Sequence, residues 1–486
     1  MEVAMDCDYV AMLEQQRQFF QTGTTRNVAD RIEQLRLLRR VIEENQTAIA
    51  AALKADLHKP EPEAYLGEIL STLKEIKYAL KHIRTWVTPH RVAVSPLLFP
   101  SRGFVQAEPV GVVLIIAPWN YPFSLVLSPL VGAIAAGNCA ILKPSEYAPH
   151  TSKLVAELIN KNFEPGLVRA IEGGKETSQA LLQQKFDHIF FTGSTRVGKI
   201  VMAAAAKHLT PVTLELGGKS PTIVEADCDL PVTAKRIASG KFFNAGQTCI
   251  APDYVLVNQK IKDRLIQELT QVVKEFYPAT PQESKDYARI VSNDHCQHLH
   301  GLLEHTRANS KAQIVTGGEV DIQQRFVAPT IVDGGSLSAR TTMGGESDRN
   351  SPASSFDLAL MQAEIFGPIL PIFSYEDLDQ AIDLINSLHK PLALYFFSSD
   401  RQKQKRILQE TSSGAVCLND TVSHYLAPQL PFGGVGNSGL GKSHGKYSFD
   451  AFSHHKAILA KPTWFDAFIR YPPYKQWSIN VFKWFL

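Results

Sequence analysis

The sequence predicts an α/β protein built on parallel sheets, and three observations carry that reading. Short apolar runs of strand type alternate with helical stretches between residues 110 and 206. The same alternation resumes after Glu215. The chain is 486 residues long with 44% hydrophobic and 20% charged residues, enough for two or three domains with large cores. Strands alternating with helices imply βαβ units and a doubly wound sheet.

From the N-terminus, Ile32, Leu35, Leu38, Ile42 and Ile49 recur at helical spacing among Arg, Glu and Gln, which predicts an amphipathic helix over 28–53. A second helix is expected over about 63–87, beyond the breakers Pro60 and Pro62. Arg91-Val92-Ala93-Val94 and Gly103-Phe104-Val105-Gln106-Ala107, separated by prolines, predict a projecting hairpin within 88–108. Strands follow at 110–116, 139–142, 168–172 and 188–191, with helices near 127–136, 150–162, 176–184 and 196–206. Later, 255–257, 393–397 and 415–418 read as strands and 263–276 as a helix, a second α/β unit. Residues 333–357 are rich in Gly, Ser, Thr, Arg and Asp without apolar periodicity, so a surface loop or disorder is expected there.

A formal net charge of +2 and the absence of any Lys/Arg-rich run give no case for nucleic-acid binding. Six scattered cysteines without C-x-x-C spacing argue against a disulfide framework or a zinc site and suit a reducing compartment. The acidic start Met1-Glu2-Val3-Ala4-Met5-Asp6 does not read as a signal peptide. No run of about 18 apolar residues occurs, so no spanning helix is expected. These features together predict a soluble, cytoplasmic protein.

Two short segments carry the chemistry. Leu214-Glu215-Leu216-Gly217-Gly218-Lys219 offers a carboxylate, and Gly246-Gln247-Thr248-Cys249 offers a thiol, each among small residues where backbone can approach a small molecule closely. A thiolate is the nucleophile of cysteine chemistry, and a nearby carboxylate can act as the base that activates water. The plainer alternatives are a buried structural cysteine at 249 and a strand-end carboxylate at 215. Yet Cys139, Cys228, Cys296 and Cys417 sit in ordinary strand, loop or helix contexts, and Cys249 does not. Gly193-Ser194-Thr195-Arg196-Val197-Gly198 follows a strand and opens a helix, so it can present N–H groups to a pyrophosphate or be a plain turn. His295, His298 and His300 lie close to Cys296, but 300 turns away from the face shared by 295 and 298, and no metal site is expected.

The Glu215 and Cys249 segments resemble the two signatures of the aldehyde dehydrogenase superfamily. Ala117-Pro118-Trp119-Asn120-Tyr121-Pro122, Leu142-Lys143-Pro144-Ser145-Glu146, Phe191-Thr192-Gly193-Ser194-Thr195, Glu364-Ile365-Phe366-Gly367-Pro368 and Pro431-Phe432-Gly433-Gly434 also resemble family motifs, in family order. The similarity covers roughly residues 10–460. Ala55-Asp56-Leu57-His58-Lys59-Pro60 and Phe452-Ser453-His454-His455 resemble the class 3 branch, which handles fatty and aromatic aldehydes.

The resemblance implies an aldehyde dehydrogenase fold with a Rossmann-like cofactor domain, an α/β catalytic domain and a small β oligomerisation element. By position these would be 1–87 with 109–215, 216–414, and 88–108 with 415–460, followed by a tail at 461–486. It implies Cys249 as nucleophile, Asn120 as oxyanion donor and Glu215 as base, with Glu364 the one competitor for that last role. It implies NAD or NADP, met by Trp119, Lys143, Glu146, Gly193, Ser194, Val197, Glu364 and Phe432, with Trp119 on the adenosine and Phe432 on the nicotinamide. Its substrate would be an apolar aldehyde, fatty, aromatic or polyene, and its assembly a homodimer. A CoA-acylating enzyme is the nearest alternative, argued against by the intact Glu215. A catalytically idle relative is the other, argued against by Cys249, Glu215 and Asn120 all being present.

Two stretches depart from the family pattern. The 333–357 tract reads as an insertion close before Glu364, tolerable because loop-closure cost grows slowly with length. The tail is strongly aromatic, with Trp464, Phe465, Trp477 and Trp484 among its residues. Three readings of 464–486 stand side by side: a peripheral membrane contact, a cover over the substrate tunnel or the subunit partner, and disorder.

Overall fold

Five strands of β-rich sequence, Val112–Ile116, Cys139–Lys143, Val168–Ala170, His188–Gly193 and Val212–Leu216, pair in parallel in a six-stranded sheet. Gly439–Leu440 closes one edge antiparallel to Val212–Leu216. Val112–Ile116 lies at the centre, between Cys139–Lys143 and His188–Gly193, so the strand order reverses beside it. Strands of Val, Ile, Leu and Phe suit this position because helices cover the sheet and both faces are dry. The helix Ser124–Ala136 is buried at every residue, consistent with its lack of charged side chains. The structure is a computed structural model describing residues 8–278, 280–309, 312–337 and 359–484.

A second sheet of seven strands runs in the order Gln313–Thr316, Thr330–Ser336, Ile369–Tyr375, Tyr254–Asn258, Pro221–Val224, Ala393–Phe397 and Ala415–Leu418. Each sheet has its own apolar core. The chain crosses from one to the other at 217–220, immediately after Glu215. A third element, a three-stranded antiparallel ribbon of His90–Val92, Arg102–Pro109 and Ser453–Ala460, is mostly half-buried or exposed. Among the described residues no helix is long and apolar enough to cross a membrane.

Four sequence expectations need correction. The helix expected over 28–53 is two, Val28–Glu44 and Gln46–Leu57, because Asn45 leaves helical geometry and its side-chain amide bonds back to Val41 O at 2.8 Å. The helix expected over 63–87 contains a π-helical turn, Tyr65–Leu70. Ser71 and Thr72 donate hydroxyls to Gly67 O and Glu68 O at 2.8 and 2.7 Å, which serves carbonyls of that wider turn. The polar tract does not begin at Asp333: Thr330–Ser336 is a strand and Leu337 is buried, while 338–358 lie outside the described residues. Ala415–Leu418 pairs with Ala393–Phe397 and so belongs to the second sheet, not to a bridging segment.

Candidate active site

Glu215 lies near the end of the Val212–Leu216 strand, with its side chain buried. The Ser443 hydroxyl donates to its Oε1, and the Thr192 hydroxyl to its Oε2 at 3.5 Å. Burial pushes the carboxyl up to about 7; the two hydroxyls and Lys442 oppose this and Glu75 adds to it. A carboxylate poised there can hold and release a proton near neutrality.

Cys249 is presented by an irregular turn after the helix Leu230–Phe242. Asn244, Ala245 and Gly246 take left-handed φ values of 53°, 51° and 74° in succession. A Cβ on Gly246 would collide with Gly367 O, so the close approach of the 364–368 segment demands glycine. Gln247 locks the turn: its Nε2 donates to Asn244 O and Arg289 O, both at 3.0 Å, and its Oε1 accepts from Val291 N at 2.9 Å. Burial raises the Cys249 thiol well above its ordinary value, with Glu364 and Glu215 adding to the effect. The N–H groups of Cys249 and Ile250 face the sulfur and oppose it. Such surroundings favour the thiol over the thiolate, so a base at hand helps it become a nucleophile.

Asn120 is buried, and its Nδ2 donates to Gln247 O at 3.0 Å. Its carbonyl accepts from Asn244 Nδ2 at 2.9 Å and Lys59 Nζ at 3.0 Å. An amide nitrogen carries two hydrogens, and Gln247 uses one. Next to it, the Tyr121 hydroxyl meets Thr248 Oγ1 at 2.7 Å. The geometry thus brings Asn120 and Cys249 onto one hydrogen-bonded turn.

A cavity of ≈ 420 Å³ opens onto Cys249 and Glu215. Its walls are mostly apolar, with Leu66, Tyr121, Leu125, Phe243, Ile250 and Phe276 among them. Phe432 belongs to this cavity and stacks on His444 with ring centroids 4.8 Å apart. Trp119 packs its ring against Phe366 at 5.3 Å and His295 at 5.9 Å. It therefore stands beside the Glu364 segment. The His295 and His298 rings stack on each other, and no cluster that could hold a metal occurs among the described residues.

Glu364 sits against the Gly217-Gly218 turn, where a Cβ on Gly217 would strike its Oε2. Burial and then Asp253 hold its carboxyl well above the usual range, opposed by the Gly218 N–H, Lys219 and Lys241. Lys219 fixes the segment by bonding Asp253 at 2.5 Å, Leu360 O at 2.7 Å and Ala363 O at 3.0 Å.

The residues expected to meet a dinucleotide lie at the carboxyl ends of the first sheet's strands, beside the order reversal where such ligands bind in open α/β sheets. Ser194 caps the helix Thr195–Ala206, accepting from Val197 N at 3.4 Å, and Gly193 precedes it. That leaves other first-turn N–H groups for a pyrophosphate. Lys143, buried, pairs with the rim residue Glu146 at 2.6 Å at the end of the neighbouring strand. A cation and a carboxylate there match ribose hydroxyls, so the residues present fit NAD or NADP. Sequence reasoning did not single out Lys59, Glu68, Asn244, Gln247 or Ser443 as site residues; of these Gln247 carried a signal in its place inside the Gly-Gln-Thr-Cys run, and Lys59 in its place inside the Ala55–Pro60 motif.

The aldehyde dehydrogenase family model matches residues 3–342 and 354–458, with its interruption inside the polar tract. The chain belongs to the aldehyde dehydrogenase family. It is 46% identical over 457 residues to the 4,4'-diaponeurosporen-aldehyde dehydrogenase of Staphylococcus aureus, covering 94% of this chain and 95% of that one. It is 44% identical over 459 residues to the dimeric NADP-preferring aldehyde dehydrogenase of Rattus norvegicus, covering 94% and 96%. A substrate-bound Staphylococcus aureus AldH structure superposes with a TM-score of 0.91 at 44% identity over 100% of each chain. Such relatives put the chain in the class 3 branch. This aldehyde dehydrogenase is an oxidoreductase that uses NAD or NADP.

Proposed function

We propose that this aldehyde dehydrogenase oxidises long-chain or otherwise apolar aldehydes, polyene aldehydes included, to carboxylic acids, with Cys249 as nucleophile, Asn120 as oxyanion donor and Glu215 as base. The observation that carries the substrate class is the apolar cavity leading to Cys249 and Glu215. The likeness to an enzyme named for a polyene aldehyde supports it.

The Cys249 sulfur, its proton passed to a base, attacks the aldehyde carbon, and the carbonyl electron pair moves to oxygen. Asn120 Nδ2 and the Cys249 N–H donate to that oxygen; one such donor contributes about 2.7–4 kcal/mol of transition-state stabilisation. Bound NAD or NADP supplies the two-electron acceptor. Lys143, Glu146, Gly193, Ser194, Val197, Trp119 and Glu364 would hold it, and Phe432, whose ring lines the cavity beside Cys249 and Glu215, would meet the nicotinamide end. The oxidised substrate remains as a thioester on Sγ. Glu215 takes a proton from water as the water oxygen attacks that carbon, the C–S bond breaks, and the acid leaves. Support for Glu215 over Glu364 comes from its carboxyl near 7 and its place in the cavity wall.

Homodimer formation is supported by the Ser453–Ala460 strand, which forms an edge of its sheet among the described residues, because an unpaired edge invites a second chain. Peripheral lipid contact is supported by exposed apolar residues gathered near the ribbon and tail: Leu97, Phe99, Trp464 and Phe465. Phe99 and Phe465 touch, with ring centroids 6.2 Å apart.

The test is formation of reduced coenzyme across straight-chain aldehydes of increasing length and a polyene aldehyde, with and without CoA. A kcat/KM that rises with chain length and needs no CoA supports the proposal. Preference for short polar aldehydes overturns the substrate class. A requirement for CoA overturns hydrolysis by Glu215.

A further inference from the structure

Lys59 follows the helix Gln46–Leu57 and lies within the Ala55–Pro60 motif, whose chemistry the reaction above leaves unused. Its side chain and that of Glu68 are wholly hidden from solvent, with Nζ 2.6 Å from Glu68 Oε1. The ammonium has three donors. Besides Glu68 it meets Asn120 O at 3.0 Å and stands 4.2 Å over the centre of the Tyr121 ring.

Glu68 faces inward from the π-helical turn Tyr65–Leu70. Its Oε2 accepts from Phe123 N at 3.0 Å and Ser124 N at 2.9 Å, and so caps the buried helix Ser124–Ala136. The pair therefore grips the 120–124 turn at both ends. The Asn120 amide nitrogen is tied to Gln247 O, and its carbonyl is tied to Lys59 and Asn244, so main chain and side chain are both fixed against the Cys249 turn.

A buried ion pair is a poor source of stability, because desolvation offsets much of the attraction. Fixed geometry at an oxyanion donor, by contrast, has a large kinetic return. We propose that Lys59, held by Glu68, is a positioning residue that preorganises the Asn120 amide for the negative oxygen formed when Cys249 adds to the aldehyde. This rests on the reading of Asn120 as oxyanion donor.

The experiment is a double-mutant cycle on the full chain, with enzyme in excess over a long-chain aldehyde so that single-turnover formation of reduced coenzyme is read. Lys59→Met should slow this phase by about 10- to 100-fold. KM for the aldehyde and coenzyme affinity should change far less. In an Asn120→Ala background the same Lys59→Met change should cost less than about 3-fold, because its effect passes through the amide.

If Asn120→Ala alone leaves the phase unchanged, the reading of Asn120 fails. If Asn120→Ala slows it and Lys59→Met does not, the positioning proposal fails and the reading stands. Additive losses also overturn the proposal, since Lys59 then acts elsewhere. Where Lys59→Met does not fold, Lys59→Met with Glu68→Leu removes both charges together and enters the same cycle, with the same outcomes.

Discussion

Glu215 sits where two opposing effects meet: burial favours its neutral form, and the Ser443 hydroxyl favours its charged form. With Glu215 as the proposed base, the active form is the carboxylate, so release of acid should rise with pH through about 7 and level off above it. Ser443→Ala removes a donor to the charged form, which raises the carboxyl further. A hydrogen bond of about 1 kcal/mol corresponds to most of a pH unit, so the rising limb should move up by that much while the plateau holds. The measurement is the pH profile of turnover under conditions where acid release limits the rate. Glu215→Gln should erase the limb, slow release, and leave the first turnover of coenzyme reduction normal. If its steady-state turnover is unimpaired, the base is Glu364. Cys249→Ala should end turnover with coenzyme binding intact, read by fluorescence titration; residual aldehyde oxidation would remove Cys249 from the nucleophile role.

The turn that carries Cys249 is held in a shape few residues tolerate, and its partner is the 364–368 segment. Gly246→Ala places a Cβ against Gly367 O at a left-handed position. Backbone strain of this kind costs about 1–3 kcal/mol, so the melting temperature should fall. A displacement of about 1 Å at the nucleophile costs on the order of 100-fold, so single-turnover oxidation should fall with it. An unchanged Gly246→Ala enzyme would show that this turn does not position the sulfur. The strands and helices around the turn were legible from the sequence because period and length survive in it: Cys139–Lys143 and Thr195–Ala206 fall where apolar runs and helical spacing put them. The turn itself was legible only as a motif. Its geometry depends on Gln247 reaching Arg289 O and Val291 N, contacts between residues far apart in the chain. The π-helical turn was hidden for the same reason: Glu68 looks like any surface glutamate until the Phe123 and Ser124 N–H groups need an acceptor. Phe432 was readable as a nicotinamide-side aromatic, but its place in the wall of the cavity at Cys249 and Glu215 was not.

Across the whole molecule, the proposed base and nucleophile straddle the join between the two sheets: Glu215 lies near the end of the last parallel strand of one, and Cys249 precedes the Tyr254–Asn258 strand of the other. The residues proposed to meet the coenzyme lie at the strand ends of the first sheet, and the apolar cavity opens where helix 230–242 and the 420–432 segment meet. The third element stands apart from this chemistry. Among the described residues, the cavity lining comes from the two sheets and the helices and loops around them, with none from the tail. Instead Phe465 meets Phe99, and Gln476–Trp484 forms a helix with Trp477 and Ile479 partly exposed. Exposed aromatics with Lys475 and Lys483 suit a lipid headgroup region, where Trp sits at the boundary and Lys reaches the phosphates. Binding of this kind scales with buried apolar area and with anionic lipid. A chain ending at residue 462 should therefore lose sedimentation with anionic vesicles while oxidising a short soluble aldehyde as before. Its advantage on long-chain aldehydes presented in vesicles should disappear with the tail. If the shortened chain still sediments with vesicles, the tail is not the lipid contact. If it instead loses the dimer by light scattering, the aromatic tail belongs to the subunit interface.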